Sequence, residues 1–353
     1  MEEAAGNNKN KGSWLQHAMK YAVPLLVTVG LCWLMFRDFS FGSMMRIITT
    51  QCNFVWIIVP LAISVLSHIA RAFRWGIQLQ ALGINARGSD LILSIFGTYA
   101  VNLVFPRLGE VWRTGFISQR QKAPFSAVFG SMVADRLADT VIVLLLLAVA
   151  LLLAGKHIIS YLSQNQALYY KMVAVASSPW LWLAVIACIA AAWWLLTRKS
   201  AAGSVLSRLQ RFVAGLWQGF SVVVTMPGKG RWLFLTAVIW GCYFVQLYIA
   251  FFAFPFTAAV AESYGPTAVL VTFVMSSIAM GVPSNGGIGP WQWAVIFALS
   301  LYSVPQADAM AFANLVLGTQ TLLLILLGII TFVAIMLEKK NKSLVTDKKI
   351  TKK

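Results

Sequence analysis

Six stretches of the chain are long and apolar enough to cross a lipid bilayer as helices. They cover residues 18–36, 53–70, 138–154, 179–197, 232–254 and 311–337. A helix needs about 20 apolar residues to cross the hydrocarbon core. Hydrophobic residues make up 59% of the chain and charged residues 11%, which excludes both an ordinary soluble domain and a disordered chain. The sequence therefore predicts an all-α polytopic membrane protein.

Two further apolar stretches are interrupted by proline and glycine before they reach the length of a simple span. The first, 91–118, turns polar at Pro106 and Gly109, and the second, 267–302, is broken at 283–290. We expect each to be a re-entrant hairpin that enters and leaves the membrane on one side. Because irregular backbone at membrane depth needs polar surroundings, both tips should lie within protein or beside a water-filled cavity.

The distribution of basic residues supports this topology and sets the orientation of the chain. With both hairpins re-entrant, the outer loops hold Arg37, Arg46, Lys156 and Lys171, and the remainder of the 28 Lys and Arg residues lie inside. This asymmetry predicts that both termini lie in the cytoplasm. The net charge of +17 is thus interpreted as a signal of topology, and no nucleic-acid partner is expected.

The spans and hairpins divide the membrane region into two halves of like order. The predicted segments are a cytoplasmic N-terminus (1–17), a first membrane repeat (18–154), an external loop (155–178), a second repeat (179–337) with a cytoplasmic amphipathic segment (200–231), and a basic cytoplasmic tail (338–353). Three crossings separate the starts of the halves, so they would be inverted relative to each other. Broken segments at matching positions of inverted halves are typical of a transporter binding site.

The first hairpin carries charged residues, which are costly within membrane depth and are therefore functional candidates. Arg107, Glu110 and Arg113 share one face of a helix that begins near Pro106, and Asn102 adds an amide. The planar guanidinium of arginine suits a pair of phosphate oxygens. The alternative interpretation is an internal ion pair that only holds the hairpin together.

A second charged set, Asp135, Arg136 and Asp139, opens the predicted span 138–154. Asp135 and Asp139 share a helix face, and Arg136 can reach Asp139. The carboxylates are either favourable charges at a helix N-terminus or partners for the arginines of the first hairpin. The charges of the two sets cancel, as expected for a buried mutual network.

Further candidates lie at the end of the second span and in the second hairpin. Arg71 and Arg74 either add positive charge at the cytoplasmic mouth or snorkel to the membrane interface. Asn285, Gly287 and Gly289 supply amides and allow a close approach of the backbone. A helix that begins after Gly289 would direct partial positive charge inward.

No motif in the sequence predicts a metal site, a cofactor or a catalytic residue. The three His residues form no HExxH, the four Cys residues form no CxxC, and no P-loop is present. The cysteines are interpreted as small core residues. Any transport would therefore be driven by a gradient or by consumption of the product.

Four segments taken together resemble one known family. They are SHIARAFRW (67–75), NLVFPRLGEVWR (102–113), ADRLADT (134–140) and GVPSNGGIG (281–289). Their order resembles the flippase-like transmembrane domain of the lysylphosphatidylglycerol synthases, which also occurs alone in bacteria and archaea. The resemblance spans nearly the whole chain, and the second segment is its most specific part. It implies a protein of the bacterial cytoplasmic (inner) membrane that moves lipid between leaflets.

The chain departs from this family pattern in two respects. The large soluble aminoacyl transferase domain of the two-domain synthases has no counterpart in the short tail, so lysyl transfer is not expected. In addition, Pro290, Trp291 and Gln292 stand where the family has a carboxylate soon after the last glycine motif. If that carboxylate couples protons or binds a cationic headgroup, this chain lacks the function.

Three functions stay open at this point. The first is a flippase for an anionic phospholipid or a lipid-linked substrate (polyprenyl phosphate or glycolipid), with arginines at the hairpin tips holding the headgroup. The second is a membrane-bound transferase acting on a lipid-linked substrate, and the third is a non-catalytic envelope scaffold subunit. We expect the first, hence a transporter and not an enzyme. Its partners would be membrane lipids, with a homo-oligomer or a partner envelope enzyme left open.

Overall fold

The computed structural model describes residues 41–164 and 226–350, together with isolated residues between these ranges. Its helices are α1 (Phe41–Gln51), α2 (Val55–Ala81), α3 (Gly88–Val104), α4 (Leu108–Gln121), α5 (Phe125–Gln164), α6 (Lys229–Phe251), α7 (Pro255–Tyr264), α8 (Pro266–Ala279), α9 (Pro290–Ser300) and α10 (Gln306–Ile350). The two ranges contain no strand, and the all-α class is confirmed. The predicted span 18–36, most of 179–197 and most of the amphipathic segment 200–231 lie outside the described residues.

Four of the described helical segments are long and apolar enough to cross a membrane. They are Val55–Ala81, Phe125–Lys156, Lys229–Phe251 and Gln306–Glu338. A fifth span results if α7 and α8, which meet at an angle of 113°, count as one broken span. A multi-pass membrane protein is therefore confirmed, whereas the count of six spans and the re-entry of the hairpins stay predictions.

Two helices extend well beyond the apolar stretches that predicted them, and this changes the position of charged residues. Helix α5 begins at Phe125, so Asp135 and Asp139 lie inside it and not at its N-terminus. Helix α2 continues to Ala81, and it buries Arg71 and Arg74 to 4% and 0% exposure, which excludes snorkelling. Apolar stretches end at the first charges, but helices continue wherever those charges find partners.

Each predicted hairpin is a pair of helices joined by a break. In the first hairpin, α3 and α4 pack together, and Arg107 in the break takes a left-handed conformation with φ of 63°. The pair is closely packed, because a Cβ added to Gly109 would overlap the carbonyl oxygen of Thr98. In the second, the break between α8 and α9 contains Gly286 and Gly287 with positive φ, a conformation that glycine adopts without steric cost.

The two halves pack crosswise. Helix α2 lies against α6, the first hairpin helix α3 lies against α10, and the second hairpin helix α8 lies against α5. Exchanging the halves would convert the α3–α10 contact into the α8–α5 contact and leave the α2–α6 contact in place. An inverted repeat would produce this pattern, and the repeat itself stays a prediction.

Two apolar clusters support the hairpins. One surrounds Trp75 and Ile95 and joins α2, α3 and α4, with Trp75 fully buried. The other surrounds Phe251 and Phe312 and joins α6, α8 and α10. Because both clusters are apolar, the charged side chains of the bundle must find their partners in one another.

Candidate functional site

A cavity of about 780 Å³ lies among the long helices and reaches the tips of both hairpins. Its walls come from α2, α3, α4, α5, α6, α8 and α10. Its charged lining residues are Arg71, Arg107, Glu110, Arg136 and Asp139. Two charged regions of the sequence that are far apart along the chain thus meet at one site.

Two arginines of α2 are paired with two aspartates of α5. Arg71 Nη1 donates to Asp139 Oδ2 at 2.7 Å. Arg74 Nη2 donates to Asp135 Oδ1 at 2.6 Å and to Asp139 Oδ1 at 2.9 Å. All four side chains are buried. Such charge-assisted bonds are among the stronger protein hydrogen bonds, so they fix α2 against α5 at the depth of the cavity.

Glu110 of α4 connects three helices. Arg136 Nη2 of α5 donates to Glu110 Oε1 at 2.9 Å, and Asn102 Nδ2 of α3 donates to Glu110 Oε2 at 3.2 Å. Asn102 Oδ1 in turn accepts from the backbone N–H of Gly109 at 2.8 Å. Glu110 therefore pairs with an arginine of α5 and not with one of its own hairpin, and Arg136 pairs with Glu110 and not with Asp139.

Arg113 is the most deeply buried charge of the first hairpin. Its guanidinium lies over the ring of Trp75, 4.2 Å from the centroid, and Nη2 is 3.9 Å from Asp135 Oδ2. None of its guanidinium nitrogens donates a hydrogen bond to any residue that the structure describes. The ring face attracts the cation, but it does not satisfy the N–H groups.

The two hairpin tips hold each other through reciprocal hydrogen bonds, which we call the tip contact. Arg107 Nη2 donates to the carbonyl oxygens of Met280 at 3.0 Å and Gly281 at 2.6 Å, just after α8. Asn285 Nδ2 donates to the carbonyl oxygens of the last two residues of α3, at 3.1 and 3.3 Å. Each tip thus satisfies carbonyls that a helix C-terminus leaves without partners. Arg107 is engaged in this contact although it also borders the cavity.

The charges of the site do not cancel. Arg107 lines the cavity but is held by carbonyl oxygens in the tip contact. Apart from it, four arginines within residues 41–164 that are buried or line the cavity meet three carboxylates: Arg71, Arg74, Arg113 and Arg136, with Glu110, Asp135 and Asp139. The sequence predicted a neutral network because it counted Arg107 and left out the two arginines of α2. A buried positive charge without a counter-charge is unfavourable, so the site favours an anion.

The structure sorts the predicted site residues into three groups. Those that line the cavity are Arg71, Asn102, Arg107, Glu110, Arg136, Asp139 and Gly287. Those that lie behind it and pair with lining residues or with one another are Arg74, Arg113 and Asp135. Asn285 belongs to the tip contact, and Gly289 precedes α9, where its N–H donates to Gln292 Oε1 at 2.9 Å.

Sequence reasoning missed a polar strip of the cavity wall on α6. Trp240, Tyr243 and Gln246 recur at three-residue steps and all line the cavity. The Tyr243 hydroxyl accepts from Arg71 Nε at 3.3 Å. Elsewhere in the lining, the rings of His68 and Tyr99 lie with their centroids 4.4 Å apart and are tilted by 40°. The repeated spacing of polar and aromatic residues in an apolar span was the signal that could have found the strip.

No group of three His, Cys, Asp or Glu side chains in the described part of the chain is arranged to hold a metal ion. The candidate site is instead built from guanidinium, carboxylate and amide groups. Such groups bind anions and polar headgroups through hydrogen bonds and charge.

These features define a class: a polytopic helical membrane protein with a charged cavity between two helical hairpins. A sequence model of the family described as the lysylphosphatidylglycerol synthase TM region matches residues 21–328, and the chain belongs to this family. The resemblance drawn from the four sequence segments is confirmed, and the protein is a lipid-related membrane protein. No match was found among curated proteins or among solved structures.

Proposed function

We propose that the protein is a lipid translocator that moves an anionic phospholipid or a lipid-linked substrate between leaflets. The observation that carries the proposal is the surplus of positive charge in a network that borders a cavity among membrane helices. An anionic headgroup would supply the missing counter-charge. Charged groups at membrane depth that face a cavity commonly mark a substrate pathway.

The headgroup would bind at Arg71 and Arg136, which come from different helices and both line the cavity. Each is held by a carboxylate, Asp139 and Glu110 respectively, so its guanidinium is already oriented. Arg136 Nε has no hydrogen-bond partner among the described residues. A phosphate that bridges the two arginines would therefore gain preorganised donors with little loss of side-chain entropy.

The lipid tails would stay in the bilayer while the headgroup passes through the cavity. Val111, Met280 and Val282 line the cavity and are each 44% exposed, so they form an apolar edge along which the tails would lie. This edge lies beside the tip contact. The tips would therefore control the opening through which the tails move along the protein.

The proposal makes the protein a transporter and not an enzyme, in a bacterial inner membrane with both termini in the cytoplasm. Glu110 and Asp139 are the carboxylates that could couple transport to protons, because both face the cavity. Phosphatidylglycerol and polyprenyl phosphate both fit an anionic site with an apolar edge.

The test is headgroup translocation in proteoliposomes that contain labelled phosphatidylglycerol, phosphatidylcholine or polyprenyl phosphate. We expect the wild type to move an anionic lipid faster than phosphatidylcholine. Arg136→Gln should slow that lipid by about 10-fold to 100-fold, because a hydrogen bond to a charged group contributes about 1.5–3 kcal/mol. The control Arg46→Gln, which changes an exposed arginine outside the cavity, should leave the rate unchanged.

A second variant separates transport from folding. Arg136→Gln leaves Glu110 without its arginine partner. Arg136→Gln combined with Glu110→Gln instead replaces the ion pair with two neutral amide side chains. The double variant should fold as the wild type does and still fail to transport. Normal transport by this variant, or equal movement of all lipids by wild type and variants, would contradict the proposal and favour a scaffold role.

A further inference from the structure

A second cavity, of about 470 Å³, lies between α2, α3 and α6 and shares no lining residue with the first. We call it the lateral groove. It is lined by Phe73, Ile77 and Gln80 of α2, Leu91 of α3, and Arg231 and Phe234 of α6. The end of α2 and the beginnings of α3 and α6 meet here, so the groove lies at one end of the bundle.

The walls of the lateral groove change from polar to apolar with depth. On α2, Gln80 lies next to the helix end and Phe73 about two turns further in. On α6, Arg231 lies next to the helix start and Phe234 about one turn further in. Two helices that meet at opposite ends thus present the same order of polarity. A phospholipid has this order, with its headgroup at the membrane surface and its chains below.

The inner part of the lateral groove exposes rings that a soluble protein would cover. Phe73 is 45% and Phe234 67% exposed. The wall behind them is tight, because a Cβ added to Gly76 would lie 2.7 Å from Leu91 Cδ1. The close approach of α2 and α3 therefore gives the groove a firm apolar wall against which an acyl chain can lie.

The mouth of the lateral groove is positively charged. Arg87, Lys229 and Arg231 are exposed at this end. The nearby carboxylate of Asp90 is buried and accepts from Arg120 at 2.8 Å. Arg120 also pairs with Glu338, so this group of three carries one negative charge against the three exposed basic residues, and the mouth keeps a net positive charge. Basic pockets between membrane helices on the cytoplasmic side attract anionic lipid headgroups.

We propose that the lateral groove binds an anionic phospholipid of the adjoining leaflet. Its phosphate would lie beside Arg231, and one acyl chain would lie against Phe73 and Phe234. A zwitterionic lipid would gain the same chain contact, but its ammonium would face a positive mouth. The site does not depend on lipid transport, because its residues are separate from the charged cavity.

Native mass spectrometry of the detergent-solubilised protein tests the proposal, with phosphatidylglycerol, phosphatidylcholine and glycerol 3-phosphate as probes. We expect the wild type to retain phosphatidylglycerol in preference to phosphatidylcholine. Arg231→Gln should weaken that binding about fivefold, because one basic residue near the surface contributes about 1 kcal/mol. Phe234→Ser should weaken both lipids, and both substitutions change exposed side chains, so folding should be preserved.

Two matched controls and one separate variant make the result specific to the lateral groove. Arg46→Gln and Leu152→Ser change an exposed charge and an exposed apolar side chain elsewhere, and they should leave binding unchanged. Arg136→Gln alters the charged cavity and not the lateral groove, so this variant should still retain the phosphatidylglycerol molecule that Arg231→Gln releases. We expect this result whether or not the protein transports lipid. Wild-type binding in Arg231→Gln, equal retention of the two phospholipids, or displacement by glycerol 3-phosphate would each overturn the proposal.

Discussion

Replacing Asp139 by Asn removes one charge from the network without changing the shape of the side chain. The carboxylate accepts hydrogen bonds from Arg71 at 2.7 Å and from Arg74 at 2.9 Å. In Asp139→Asn, four arginines would face only Asp135 and Glu110. We expect the variant to insert into the membrane but to lose much of its stability.

The geometry sets the magnitude of this loss. Two unit charges about 4 Å apart attract each other by about 4 kcal/mol at an effective dielectric constant of about 20, and desolvation offsets part of that attraction. Breaking a buried pair by removing one partner costs about 3–5 kcal/mol in measured cases. Because Asp139 accepts from two buried arginines, we expect its loss to lie in this range.

The assay is reversible unfolding in mixed micelles of a mild detergent and dodecyl sulfate. Glu262→Gln, which neutralises an exposed carboxylate on α7, is the control and should change the free energy of unfolding by less than about 0.5 kcal/mol. Arg71→Gln combined with Asp139→Asn should recover part of the loss, because residues in one network are coupled. A loss in Asp139→Asn no larger than that of the control would refute the buried network.

Two further predictions concern the hairpins. In a thermal unfolding assay, Gly109→Ala should destabilise the protein by about 1–3 kcal/mol through overpacking. The control Gly115→Ala, where a Cβ meets nothing within 4 Å, should be neutral or stabilising. Equal effects of the two substitutions would show that α3 and α4 are not in contact at Gly109. Spin labels at Val104 and Val282, which are 64% and 44% exposed, should give a narrow distribution of distances between the two hairpin tips. Arg107→Ala should broaden that distribution. An unchanged distribution in the variant would show that Arg107 does not hold the tips together.

The long apolar helices of the described ranges could be predicted from the sequence because hydropathy is a local property, whereas the short helices α1 and α7 were not predicted. The breaks at 105–107 and 280–289 were visible as proline and glycine runs, and the long helices as apolar stretches. The ends of the helices were harder to predict. For example, α5 begins at Phe125, in a stretch of the chain whose polar residues lower the local hydropathy. Such residues form helix as readily as apolar ones when a neighbouring helix supplies partners.

The pairing within the site could not be predicted, because partners far apart in sequence are chosen by packing. For Arg71 and Arg74 the sequence left open the cytoplasmic mouth or snorkelling, yet both are buried and pair with aspartates of α5. An ion pair of Glu110 within its own hairpin was one interpretation, yet Glu110 accepts from Arg136 of α5. The charged residues could be selected from the sequence as candidates, but only the crosswise packing of helices decides which arginine faces which carboxylate.

The crosswise packing also bears on how the chain is made. Helix α3 of the first hairpin lies against α10, which the ribosome synthesises after the other described helices. Until then the side of α3 that packs against α10 has no permanent neighbour. We expect the nascent chain to depend on the insertion machinery or on a membrane chaperone during this interval, and truncations before α10 to be cleared by proteolysis. The last helix would then act as the step that commits the molecule to its final form.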